Sequence, residues 1–153
     1  MPTINSFSGE YSFLSNFHPA QIVITGPRKY SLELIVFPTV EHAYQAFKTN
    51  DQEWFEKIKN AATPALAKKL GRRCPIRTEF DSIKLDLMKE FVQAKFIQNL
   101  ELRDQLLATN NCALEEGNTW GDTYWGTVNG KGSNFLGKIL METREILKTL
   151  VLD

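Results

Sequence analysis

Four polar side chains in one short stretch have the types and spacing that acid–base or nucleophilic chemistry needs. In Val40-Glu41-His42-Ala43-Tyr44-Gln45-Ala46-Phe47-Lys48, the residues Glu41, Tyr44, Gln45 and Lys48 fall at i, i+3, i+4 and i+7. At 100° per residue a helix gathers them onto one stripe, within roughly 100° of arc, and leaves Val40, Ala43, Ala46 and Phe47 for the opposite, core-facing side. A carboxylate, a phenol, an amide and an ammonium are thereby aligned. Glu41 would be the second helical residue, where the helix dipole favours the ionised form. It suits a base, or an anion that stabilises developing positive charge, better than a proton donor. An ordinary solvated helix face accounts for the same pattern without chemistry.

Two glycine-rich segments nearer the end add candidates. Residues 114–126 combine Gly117, Gly121 and Gly126 with Trp120, Tyr124 and Trp125 and the carboxylate of Asp122. Flat aromatic faces beside a carboxylate make a pocket for a planar heterocycle, while the alternative is a loop pinned structurally by tryptophan. Gly130-Lys131-Gly132-Ser133-Asn134 then leads into an apolar run. With Ser133 or Asn134 as a helix cap, backbone N–H groups near Gly132 and Asn134 would point outward and receive phosphate. The spacing matches neither a Walker loop nor a dinucleotide fingerprint. Lys68, Lys69, Arg72 and Arg73 form a basic cluster at the end of an expected helix, with Arg72 a candidate phosphate contact. His18 beside Pro19 reads as a loop residue and His42 as structural. GxSxG and HExxH are absent.

The elements that would position these residues are mostly helical. Residues 21–25 and 30–37 are β-branched and apolar and flank Gly26-Pro27-Arg28-Lys29, which reads as the turn of a β-hairpin. Its strands should cover one side of a helical core. Helices are expected over 40–48, with Thr39 as N-cap, and over 52–60. A third fits 63–71, with Thr63 capping, Pro64 at the first position and Gly71 as the stop. Further helices fit 80–99, 100–108 and 134–150. The first of these presents Ile83, Leu87, Phe91, Ala94 and Ile97 as its apolar stripe, and the last Leu136, Ile139, Leu140, Thr143, Leu147 and Leu150. The fold class is α+β, a mainly helical single domain over 1–153 with a small antiparallel hairpin.

Composition removes several classes of function. A chain of 153 residues is of one-domain size, and its 18 Lys+Arg balance 18 Asp+Glu. That balance lacks the positive field of a general nucleic-acid or polybasic membrane binder. No apolar run approaches a membrane span, and Met1-Pro2-Thr3-Ile4-Asn5 lacks the character of a signal peptide, so a cytoplasmic protein is expected. Cys74 and Cys112 stand alone, without a CxxC pair or a histidine cluster. Reduced thiols, no metal site and no cofactor are therefore expected.

Taken together, several blocks resemble the NADAR family: Phe13-Leu14-Ser15-Asn16-Phe17, Phe37 to Lys48, Gly121-Asp122 with Trp125-Gly126, Gly132-x-Asn134-x-Leu136-Gly137, and Leu140-Met141-x-x-Arg144. The intervening 67–72, Met88 and Lys95-Phe96 fit its spacing, and the resemblance covers nearly the whole chain. Where many members carry a tryptophan before the long helix, this chain has Phe80. Where they carry a tyrosine before the proline, it has Phe37. The resemblance implies an N-glycosidase that cleaves the C1′–N bond of a ribosyl phosphate or an ADP-ribosyl group. The family's substrates include ribosylamino-pyrimidine phosphates of riboflavin synthesis and ADP-ribosylated guanine, so ADP-ribosylated nucleic acid is one partner option beside a small molecule. The implied substrate contacts are Ser15, Asn16, Phe17, Tyr44, Gln45, Trp120, Trp125, Gly132 and Asn134. Positive charge builds on the sugar during such a cleavage, and Glu41 and Asp122 are the carboxylates that would stabilise it. Lys48 opens a second route, attack on C1′ and a Schiff base. Water attack and imine formation both stay open. The rival function is a module that binds NAD or ADP-ribose without hydrolysis.

Overall fold

The computed structural model describes residues 2–28 and 31–152. They form two compact units, Asn16–Gln98 and a second assembled from Met1–Ser15 and Asn99–Asp153. The fold is mainly helical α+β, as expected from the sequence.

In the unit Asn16–Gln98, β2 (Ile22–Arg28) and β3 (Ser31–Phe37) pair antiparallel, followed by α1 (Val40–Ala46), α2 (Gln52–Lys59), α3 (Pro64–Gly71) and α4 (Phe80–Gln98). The hairpin is longer than expected. Gly26, Pro27 and Arg28, expected in the turn, belong instead to the ladder, opposite Glu33, Leu32 and Ser31. The remaining residues of that segment, Lys29 and Tyr30, lie outside the described residues. Proline is tolerated because Val23 turns its N–H and C=O away from β3, toward the Gln98 side chain at 2.7 and 2.8 Å. Pro27, two steps of two further on, has the same outward parity, where a missing N–H breaks no ladder bond. Ile22, Ile24, Ile35 and Phe37 are buried on the inner face, while Leu34 and Val36 are exposed on the outer.

Caps fix the helix starts, Thr39 and Thr63 as expected and Asp51 in addition. The Thr39 side chain accepts from His42 N, Asp51 from Trp54 N and Thr63 from Leu66 N, with Pro64 opening α3. The apolar face of α4 differs from the expected stripe. Phe80, Met88, Phe91, Val92, Lys95 and Phe96 are buried, whereas Ile97 is exposed. The inner face was obscured in the sequence because Lys95 interrupts it. That side chain is fully enclosed, and burial pushes its ammonium down to about 7.

The other unit contains β1 (Thr3–Ile4), a 3-10 helix (Gly9–Leu14), α5 (Leu100–Leu107), β4 (Ala113–Leu114) and α6 (Phe135–Leu152). β1 and β4 pair in parallel, a contact too short to leave a periodic signal in the sequence. Leu136, Ile139, Leu140, Thr143 and Leu147 form the buried stripe of α6, with Leu150 exposed beyond it. Among the described residues, no helix is long and apolar enough to cross a membrane.

Candidate functional site

Helix α1 is buried on every side. Core packing explains Val40, Ala43 and Ala46, but Glu41, Tyr44 and Gln45 are buried as well, Glu41 being only 7% exposed. The polar stripe is therefore not a solvated face. Its N-terminal turn is also fixed by His42. His42 Nε2 lies 2.9 Å from the Ala61 carbonyl oxygen, which can only accept, so this nitrogen carries the proton. Nδ1 then accepts from the Thr39 hydroxyl at 2.8 Å, and Thr39 Oγ1 accepts in turn from His42 N at 3.0 Å. Burial lowers the imidazole pKa, opposed by the Ala61 carbonyl. His42 is a neutral structural residue, as its isolation in the sequence suggests.

Along the stripe, Gln45 Nε2 donates to Glu41 Oε1 at 2.7 Å, fixing the carboxylate from one turn ahead. The other amide atom, Gln45 Oε1, is buried and has no hydrogen-bond partner. It lies against Gly71 at the end of α3, where a Cβ would collide with the Gln45 amide. Lys48 follows the last turn of α1, half-buried, with Nζ 5.4 Å from the centre of the Tyr44 ring. Tyr44 in turn meets Phe80 edge-on at 5.5 Å. Burial pushes the Lys48 ammonium below the ordinary lysine range; Glu41 and Cys74 oppose this, while Arg72 and Lys68 reinforce it. Burial raises the Cys74 thiol, and Lys48 pulls it back. The stripe thus holds a carboxylate clamped by an amide beside a lysine that gives up its proton more readily than usual. Those are the properties of an electrostatic stabiliser and a nucleophile.

The segment before the hairpin joins this group. Asn16 O accepts from Glu41 N at 3.1 Å, and Asn16 Nδ2 contacts Met88 Sδ at 3.5 Å. Phe17 is exposed, with Lys68 Nζ 5.9 Å from its ring centre. The structure therefore brings Asn16, Phe17, Glu41, Tyr44, Gln45 and Lys48 into one cluster. The family resemblance singled out Phe80, but sequence reasoning did not identify Gly71 or Cys74 as neighbours of that cluster. A helix-stopping glycine and an isolated cysteine carry no local signal of such contact.

The remaining candidates belong to the other unit, where their hydrogen bonds tie down irregular chain. Asp122 Oδ1 accepts from Tyr124 N at 3.0 Å and Trp125 N at 2.9 Å, the geometry of a side chain that closes a turn. Asn118 spans the same loop, accepting from Asp122 N and donating to the carbonyls of Asp122 and Thr127. Trp120 is 62% exposed, and Trp125 packs edge-on against Tyr124 at 4.6 Å. Ser15 ends the 3-10 helix, donating its N–H to Ser12 O.

Before α6, where a phosphate cradle is expected, the N–H groups of four successive residues have partners within the chain. Ser133, Asn134, Phe135 and Leu136 donate their N–H groups to the carbonyls of Thr123, Gly126, Tyr124 and Trp125, at 2.8, 3.2, 3.1 and 2.9 Å. They satisfy the preceding loop instead of facing outward. The Asn134 side chain is likewise engaged, accepting from Glu116 N and donating to Leu114 O. Gly132, at φ +148°, is needed because a Cβ there would strike the carbonyl oxygens of Gly126 and Thr123. Among the described residues, no group of three or more His, Cys, Asp or Glu side chains is placed to hold a metal.

Comparisons with known proteins agree on one family. The NADAR domain profile matches residues 5–148. The N-glycosidase YbiA of Shigella flexneri serotype 5b is 40% identical over 145 residues, covering 93% of this chain and 85% of that protein. A riboflavin biosynthesis protein of Vibrio vulnificus is 37% identical over 141 residues, 90% of this chain but 36% of its own length. The NMR structure of Escherichia coli YbiA superposes with a TM-score of 0.83 at 38% identity, covering 99% of this chain and 88% of that one.

Proposed function

The chain belongs to the NADAR domain family, and from that premise we propose that it is an N-glycosidase hydrolysing the C1′–N bond of a ribosyl phosphate or ADP-ribosyl compound. The riboflavin-linked relative favours a ribosylamino-pyrimidine phosphate as the first substrate to test. The observation that carries the proposal is the α1 stripe: Glu41, buried and held by Gln45, acts on the charge of Lys48, just past the end of the helix, whose ammonium burial destabilises.

In this mechanism the carboxylate of Glu41 stabilises the cationic sugar as the C1′–N bond lengthens. The neutral Lys48 Nζ forms a bond to C1′ and the base departs with its electron pair, taking up a proton. The Lys48 nitrogen loses a proton as the ring opens to an imine, with O4′ becoming a hydroxyl. Water then adds to the imine carbon, releasing the sugar and restoring the lysine amine. The net change is substrate plus water giving free base and free sugar. Burial of Lys48 matters because only the unprotonated amine can attack.

The test is incubation with a ribosylamino-pyrimidine 5′-phosphate and with ADP-ribosylated guanosine, with released sugar as the readout and borohydride added during turnover. Release from at least one substrate, a reduced sugar adduct on the Lys48 peptide and a loss of about 10²-fold in Glu41→Gln are expected. Binding without release would make the chain a binding module. Release without an adduct, together with near-normal turnover in Lys48→Arg, would leave water as the nucleophile.

A further inference from the structure

Any substrate of the proposed class carries one or two phosphates, and the N–H groups before α6 are committed to the chain's own carbonyls. The unit that carries Glu41 offers an alternative at the end of α3. Lys68 and Arg72 are four residues apart, so they lie about 40° from one another around the helix, one turn apart along it. They flank the seam formed by Ala67 and Gly71, both buried, and Gly71 lies directly against the Gln45 side chain. Lys68 Nζ stands 5.9 Å from the ring centre of Phe17, and the preceding Asn16 holds the N–H of Glu41. Both cations are close enough to Lys48 to act on its charge.

We propose that Lys68 and Arg72 form the phosphate subsite for the sugar that the α1 stripe cleaves, taking a phosphate monoester or a diphosphate. This rests on the N-glycosidase assignment for its substrate and on the α3 geometry for its place. Lys68 and Arg72 set two cations against the carboxylate of Glu41 while Lys48 is the neutral amine, an imbalance that an incoming phosphate offsets. Arg72 can present two parallel N–H donors to phosphate oxygens, while Lys68 acts as a compact charge beside the Phe17 ring. Lys69 and Arg73 provide the internal comparison. They sit at the same helix end, where any cation complements the dipole, but about 100° further round, away from the Ala67–Gly71 seam.

The experiment measures kcat/KM on a ribosylamino-pyrimidine 5′-phosphate and on the same compound after phosphatase treatment, alongside calorimetric binding of ribose 5-phosphate. In Lys68→Ala and Arg72→Gln the preference for the phosphorylated compound should fall about tenfold each, and ribose 5-phosphate affinity should fall in parallel. Lys69→Ala and Arg73→Gln should keep the wild-type ratio. An unchanged ratio in the first pair, or an equal fall in both pairs, would overturn the subsite. A wild-type protein that cleaves neither compound, nor ADP-ribosylated guanosine, would defeat the N-glycosidase assignment. Loss of ribose 5-phosphate binding in the first pair alone would then still uphold the subsite.

Discussion

Replacing Gly71 by alanine places a methyl group where the Gln45 side chain already lies. An ideal Cβ at this position meets Gln45 Oε1 head-on and comes to 2.8 Å from Cδ and 3.1 Å from Cβ. The backbone of α3 accepts alanine without strain, so the conflict falls on Gln45. Its amide must swing away, and the 2.7 Å hydrogen bond to Glu41 Oε1 goes with it. Losing a hydrogen bond to a buried charged group costs about 1.5–3 kcal/mol. Alanine recovers at most about 1 kcal/mol over glycine in a helix. Gly71→Ala should therefore destabilise the fold by about 0.5–2 kcal/mol, a drop of a few degrees in Tm for a chain of this size. The decisive assay is a double-mutant cycle followed by urea unfolding. In a Gln45→Ala background the colliding amide is gone, so the same Gly71→Ala change should be neutral or slightly stabilising. The coupling energy between the two positions should be about 1.5–3 kcal/mol. In activity, Gly71→Ala and Gln45→Ala should lower kcat by similar factors, and the double variant should be no worse than either. Equal costs of Gly71→Ala in both backgrounds would refute the idea that Gly71 acts on Glu41 through Gln45.

Two further outcomes follow from the geometry. Asp122→Ala should destabilise the 118–127 loop by about 1–3 kcal/mol because two backbone donors lose their acceptor, while Asp122→Asn, which keeps an oxygen there, should retain both stability and turnover. A folded Asp122→Asn that has lost activity would return this carboxylate to the mechanism. Lys95 has its pKa lowered to about 7 from 10.5, so between those values the unfolded chain holds more protons than the folded one. Stability should consequently rise with pH across that window, and denaturation of Lys95→Met should show a flatter profile there.

Helix starts were legible because they rest on local chemistry. Thr39, Asp51 and Thr63 each offer an oxygen to an N–H three residues on, and Pro64 needs no donor. Contacts formed at a distance left less trace. Gly26-Pro27 reads as a turn on composition alone. Yet Gly26 continues the strand where a Cβ would approach Ile35 Cδ1 to 3.1 Å, and Pro27 sits where its missing N–H breaks no ladder bond. The glycines before α6 show the same ambiguity. Gly132 and Asn134 read as a place for phosphate because open N–H groups and packed ones demand the same small, turn-forming residues.

The α1 stripe shows why part of the site could be read and part could not. The i, i+4 spacing places Glu41 and Gln45 on one face whatever surrounds the helix, with Lys48 in the turn that follows. Whether that face reacts or is merely solvated depends on neighbours that the spacing does not contain. Here the end of α3 brings Gly71, which only as glycine leaves room for the Gln45 amide that holds the carboxylate, and it brings Lys68 and Arg72 close enough to act on the amine. The residues that would react and the Gln45 amide that clamps Glu41 are encoded locally, while the glycine that leaves room for that amide is supplied by a helix elsewhere in the chain. Changes at the end of α3 should therefore alter turnover without touching any group that forms or breaks a bond.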